Sequence, residues 1–139
     1  MYSATARYAL RILGYLVEHP GQWVQGREIA AETGIPANYL SKILNQLRKQ
    51  RVVASQKGWG GGFRLEPASA TLPIKKVLEV FDGQGDAGSC IFELKGCDMA
   101  HPCPLHEHWE RVRAEYDRML NSVTVGGLQT RRGSPPPPF

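Results

Sequence analysis

The chain has 139 residues, 42% hydrophobic and 22% charged, enough for one domain or a small domain with an appended helix, and the composition is that of a soluble protein. Its longest purely apolar runs are about a half-dozen residues, against the roughly 20 that a membrane span needs, and its start has neither a long apolar core nor a small-residue cleavage site; the expectation is a cytoplasmic protein without membrane anchor or secretory leader. The charge is lopsided: residues 1–66 carry nine Lys/Arg against four Asp/Glu, net +5, whereas residues 67–139 carry eight against nine, net −1, so the basic half points to a polyanionic partner.

In chain order, a first helix is expected over about residues 3–18, with Ala9, Ile12, Leu13 and Leu16 at helical spacing and His19-Pro20-Gly21 as its stop. A short helix over Arg27–Thr33 follows, with Ile29 and Ala30 inward and Gly34 as a left-handed cap. Pro36 suits the first turn of a third helix, where its missing N–H costs nothing, and Leu40, Ile43, Leu44 and Leu47 give that helix one apolar face to about Gln50. Val52–Ser55 and Phe63–Leu65 read as short strands around the glycine-rich turn Gln56–Gly62. A helix over about 73–82 precedes an irregular stretch, 83–103, that holds all three cysteines. A last long helix is expected over about 104–123, striped by Trp109, Val112, Tyr116, Met119, Leu120 and Val123, and from Gly126 the chain reads as a disordered tail.

Helix, short helix, tight glycine turn, helix and glycine-tipped hairpin follow the order of a winged helix-turn-helix, so the expected fold class is mainly α with a small β-hairpin. With the third helix's apolar face buried, Ala37, Asn38, Ser41, Lys42, Asn45 and Gln46 point outward: short polar residues and one lysine, suited to base edges and phosphates. A plain solvated helix face is the alternative for that helix alone. The hairpin weighs against it. Gly58, Gly60, Gly61 and Gly62 allow close backbone approach, Lys57 and Arg64 flank them, and a basic tip poor in side chains can enter a minor groove. The same glycines lack the spacing and the Lys-Ser/Thr ending of a nucleotide-phosphate loop.

Cys90, Cys97 and Cys103 lie within 14 residues, an odd number that cannot pair fully within the chain. Three thiolates suit an iron–sulfur cluster, zinc or copper(I), and a cluster usually takes a fourth protein ligand. His106, three residues after Cys103, shares a helix face with it; His101 and His108 are less well placed, and His19 and His108 read as surface residues. Three Cys and one His also make a tetrahedral zinc site, although these gaps are wider than the usual Cys-x-x-Cys pairs. A bare thiol switch is the remaining alternative. Neither a Ser-His-Asp set, a His-Glu-x-x-His nor a nucleotide fingerprint is present, which speaks against an enzyme.

The segments Arg7–Arg11, Ile35–Leu44 and Ser55–Leu65, together with the three-cysteine loop and the long last helix, resemble the Rrf-type transcription regulators, the group that includes the IscR and NsrR iron–sulfur sensors, over about residues 1–125. The resemblance implies a winged helix-turn-helix DNA-binding domain over 1–66, a connecting helix and linker over 67–88, a metal-cluster loop over 89–106, a dimerisation helix over 104–125 and a tail over 126–139. It implies a homodimer on a roughly palindromic double-stranded operator, contacted through Asn38, Tyr39, Ser41, Lys42, Lys57, Gly58, Trp59 and Arg64, with a small-molecule signal acting at the cluster. Some relatives ligate the cluster with a histidine after the third cysteine, others with an acidic residue of the partner's first helix. Here that second position is Arg7, so Cys90, Cys97, Cys103 and His106 are the expected ligands and a 2Fe–2S cluster is favoured over 4Fe–4S, with zinc the competing metal. Lys57 stands where the family often has arginine, which keeps the charge and loses the planar fork.

Overall fold

Ser3 starts the first helix: its hydroxyl accepts from the Ala6 backbone N–H at 3.1 Å, satisfying a donor that the helix itself leaves orphaned. Helix α1 (Ala4–Val17) then runs through the centre of the computed structural model, which describes residues 2–83 and 103–128. Ala6, Ala9, Ile12, Leu13 and Leu16 lie on its inner face, each at most 1% exposed. The Tyr15 carbonyl at its C-terminal end meets the His19 ring Nδ1 at 2.8 Å, and Gly21 takes φ 73° in the reversal that follows.

Helix α2 (Gly26–Thr33) ends as its sequence dictates: Gly34 adopts φ 73° and its N–H returns to the Ala30 carbonyl at 2.9 Å. Pro36 sits one residue ahead of α3 (Ala37–Lys49), which buries Leu40, Ile43, Leu44 and Leu47 against α1 and α2. The end of α3 carries no sequence signal. Arg51 takes the left-handed conformation, φ 59°, with its N–H on the Arg48 carbonyl and the Val52 N–H on the Leu47 carbonyl, a paired cap usually built on glycine. Strands β1 (Val53–Gln56) and β2 (Gly62–Leu65) pair antiparallel, Val53 opposite Leu65 and Gln56 opposite Gly62, one residue later at β1 and one earlier at β2 than the sequence predicts. Val24 bridges to Phe63 through two hydrogen bonds of 2.8 Å, which fastens the hairpin to the segment entering α2.

A 3-10 turn over Pro67–Thr71, absent from the sequence expectation, leads into α4 (Ile74–Asp82). The last helix, α5 (His106–Ser122), is shorter than predicted at both ends. Pro104 and Leu105 form a turn closed by the His106 N–H on the Cys103 carbonyl. At the other end Val123 and Thr124 run extended: the Val123 carbonyl accepts from the Ile74 N–H at 2.9 Å, and the Val125 N–H that follows donates to the Leu72 carbonyl at 2.8 Å. The expected start of the tail at Gly126 is displaced. Val125–Gly127 form a second 3-10 turn, Val125 is fully buried, and Leu128 packs against the core beside Gly14, so the fold extends to residue 128 and the rest of the expected tail, 129–139, lies outside the described residues.

The apolar stripe of α5 does not face one way. Leu120, 3% exposed, joins Ala6, Ile74 and Leu78 in a second core cluster, with Tyr116 and Val123 packed against it, whereas Val112 and Met119 are 49% and 45% exposed. The expected six-residue pairing surface is therefore reduced. Leu120 is committed within the chain because α5 must bury one side against α1 and α4 to be held at all. The tilted Tyr2 and Tyr116 rings, 5.6 Å apart, and the Lys75–Asp117 ion pair at 2.6 Å reinforce that junction.

Candidate nucleic-acid interface

Because its four leucine and isoleucine side chains are spent on the core, α3 presents Ala37, Asn38, Tyr39, Ser41, Lys42, Asn45 and Gln46 to solvent. Ser41 donates to the Ala37 carbonyl at 3.0 Å, and the Asn45 side-chain oxygen accepts from Arg48 at 2.7 Å. Tyr39 is half exposed near the helix N-terminus. Opposite this face stands the wing. A shallow groove between them is lined by Arg27, Lys42, Arg48 and Lys57, by the polar residues Ser41, Asn45, Ser55 and Gln56, and, among the described residues, by no carboxylate. Four cations around an open groove with no acid to neutralise them form a polyanion-binding surface.

The wing owes its shape to glycine. Gly58 and Gly60 take φ 89° and 72°, and the Gly61 N–H closes the turn on the Gly58 carbonyl at 3.0 Å. A Cβ on Gly61 would lie 2.2 Å from the Gln56 carbonyl oxygen, and one on Gly62 2.4 Å from that of Val24, so neither position admits a side chain. Lys57 and Trp59 are exposed at this tip. Arg64 does not flank it as the sequence suggested. It lies on β2 opposite Ala54, half-buried, with its guanidinium 4.3 Å from the centre of the Trp23 ring. The cation that shares the tip's surroundings is instead Arg27, beside Gly58, Trp59 and Gly60; sequence reasoning passed over it because it opens a helix distant in sequence from the hairpin.

Of the expected metal ligands, Cys90 and Cys97 lie outside the described residues, as does His101. Cys103 and His106 stand one turn apart where the chain enters α5, joined by the 3.0 Å hydrogen bond from the His106 N–H to the Cys103 carbonyl. Cys103 is a half-exposed free thiol. A thiol and an imidazole three residues apart at a helix start are of the right chemistry for a thiophilic metal or cluster. Among the described residues no group of three or more such donors is gathered. His108 is exposed on α5 and His19 is occupied with Tyr15, whose ring it also overlies at 4.3 Å. No helix among the described residues is long and apolar enough to cross a membrane.

The family model described as Rrf2, iron-dependent transcriptional regulator, matches residues 2–131. A candidate HTH-type transcriptional regulator of Aquifex aeolicus (strain VF5) is 31% identical over 130 residues, covering 92% of this chain and 90% of that protein. The HTH-type transcriptional regulator IscR of Vibrio parahaemolyticus is 32% identical over 130 residues, covering 92% of this chain and 76% of its own length. Among solved structures, CymR, the global cysteine regulator of B. subtilis, superposes with a TM-score of 0.74 at 24% identity, over 92% of this chain and 95% of that one, a likeness of fold. The chain belongs to the Rrf2 family: it is a winged-helix transcriptional regulator and not an enzyme.

Proposed function

We propose that this regulator binds a roughly palindromic operator as a homodimer, and that an iron–sulfur cluster held by its cysteine loop sets the strength of that binding. The acid-free groove between α3 and the wing carries the DNA half of the reading. Asn38, Tyr39 and Ser41 meet base edges in the major groove, Lys42 and Lys57 meet phosphates, and Gly58 and Trp59 approach the adjacent minor groove. Arg64, stacked on Trp23, braces the wing from behind. Dimerisation through the exposed flank of α5, where Leu105, Val112 and Met119 recur at seven-residue intervals, would set two recognition helices about 34 Å apart on one face of the duplex.

Cys90, Cys97, Cys103 and His106 would hold the cluster, 2Fe–2S in preference to 4Fe–4S, and when bound it supplies one-electron chemistry and sensitivity to iron supply, oxidants or nitric oxide. The chain's own part is mechanical. Asp82, at the end of α4, accepts from the Ser3 N–H at 2.8 Å and the Ser3 hydroxyl at 2.5 Å, which ties the entrance of the loop to the start of α1. Cys103 and His106 mark its exit into α5. A cluster held by these ligands would link the DNA-binding core to the helix proposed to relate the two copies, and its loss would loosen that link; a coupling of about 1–3 kcal/mol is typical for such linkage.

A second reading, zinc or bare thiol chemistry on the same loop, is favoured by one observation: Cys103 is a half-exposed thiol open to oxidation. The visible spectrum of protein purified without oxygen separates the readings. Broad charge-transfer bands and a red-brown colour support the cluster. Colourless protein with stoichiometric zinc, or metal-free protein whose DNA affinity follows added oxidant, transfers the function to the alternatives.

A further inference from the structure

Trp59 is out of place as a structural residue. The residue is 104% exposed among the described residues, although burying such a ring ordinarily contributes several kcal/mol. It is also not on a floppy loop. The turn beneath it is closed by the 3.0 Å Gly61-to-Gly58 hydrogen bond, and Gly61 and Gly62 are packed so tightly against the Gln56 and Val24 carbonyls that no other residue fits. The backbone therefore holds the largest apolar side chain of the hairpin out in water at a defined place, between two left-handed glycines that present no side chain to obstruct a partner. The immediate surroundings are cationic, Lys57 before it in sequence and Arg27 beside it in space, and the site continues from the groove already assigned to DNA.

We propose that Trp59 is a minor-groove wedge: its indole enters the minor groove flanking the segment read by α3, partly unstacks one base step per half-site and kinks the duplex, while Lys57 and Arg27 neutralise the phosphates on either side. This rests on the DNA-binding reading of the groove and adds a specificity element to it. Steps that unstack at low cost, the pyrimidine–purine steps, are preferred at the wedge position, although no hydrogen bond reads them.

The test uses the full chain and a duplex selected by it from a random-sequence pool. 2-Aminopurine is substituted step by step along that duplex, and donor and acceptor dyes at the two ends report bending. The wild-type protein should raise 2-aminopurine fluorescence at one step in each half-site, outside the major-groove segment, and shorten the end-to-end distance. Trp59→Ala should abolish both signals and weaken binding by about 5- to 150-fold, the range found for a base stacked on an aromatic ring; Trp59→Phe should restore part of each. Replacing the flexible step by a stiff A-tract step should weaken the wild type and leave Trp59→Ala indifferent. The wedge is overturned, with the DNA reading intact, if Trp59→Ala binds the selected duplex with unchanged affinity and bend. It is also overturned if Trp59→Ala instead reduces self-association in light scattering at unchanged DNA affinity, which would assign the indole to a second copy of the chain. If the wild type selects no duplex, the DNA reading falls and takes the wedge with it.

Discussion

At the scale of single residues the structure redistributes roles that the sequence assigned by proximity. Lys57 and Arg64 look equivalent as the cations bracketing four glycines, but only Lys57 reaches the groove, while Arg64 lies over Trp23. Their substitutions should therefore behave differently. Lys57→Ala should weaken binding to all duplexes alike and reduce the salt slope by about 1. Arg64→Ala should change the salt slope little, lower the melting temperature and alter the emission of Trp23. Gly61→Ala forces a Cβ to 2.2 Å from a backbone oxygen that cannot yield, so it should cost more than about 1 kcal/mol of stability and remove DNA binding with the helical circular dichroism retained. Tyr15 offers a pH test. Burial, then its hydrogen bond to Glu28, raises its pKa to about 12. The folded state thus favours the protonated phenol; the stability this contributes is complete below the ordinary value near 10 and should drain away as pH rises towards 12, a loss that Tyr15→Phe should lack. The left-handed Gly34 and the inward leucines of α3 were legible because glycine caps and helical periodicity are local signals. Arg51 in the same conformation was not, since an arginine carries no local signal for a left-handed helix cap.

At the scale of elements, the third helix and the hairpin emerged from the sequence within a residue or two, because the helix has its own period and the hairpin its own glycine turn. The last helix was legible as a helix and misleading as an interface. A stripe read from sequence cannot say which apolar residues the chain keeps for itself: of the six, Tyr116, Leu120 and Val123 go to a core cluster, while Val112 and Met119 stay exposed. This division gives a paired prediction. Leu120→Ala removes a side chain packed on Ala6, Ile74 and Leu78 and should cost about 2–5 kcal/mol of unfolding free energy. Met119→Glu, at an exposed position, should leave the stability of the fold within about 0.5 kcal/mol and yet halve the mass in light scattering by placing charge in the seam between copies. A dimer that survives Met119→Glu would put the interface elsewhere. The turn over Val125–Gly127 escaped prediction for the opposite reason: two glycines ahead of a proline-rich end read as the start of a tail, whereas Gly126 is needed because a Cβ there would meet the Ala70 carbonyl at 2.9 Å.

At the scale of the whole molecule, membership of a family of transcriptional regulators accounts for the basic N-terminal half, which meets a polyanion, while the nearly neutral C-terminal half carries the helix proposed to meet a second copy. Between them runs the cysteine segment, whose entrance is fastened to α1 through Asp82 and Ser3 and whose exit is the Cys103–His106 turn. The central claim is that the state of this segment sets the affinity of the α3–wing groove. Its most direct test is an anaerobic anisotropy titration of one selected duplex with three forms of the full chain: as purified without oxygen, after removal of bound metal by a chelator, and as Cys103→Ala. The account predicts that the last two agree with each other and differ from the first by about 5- to 150-fold. Equal affinities in all three forms would contradict it and leave a DNA-binding protein whose cysteine loop is structural.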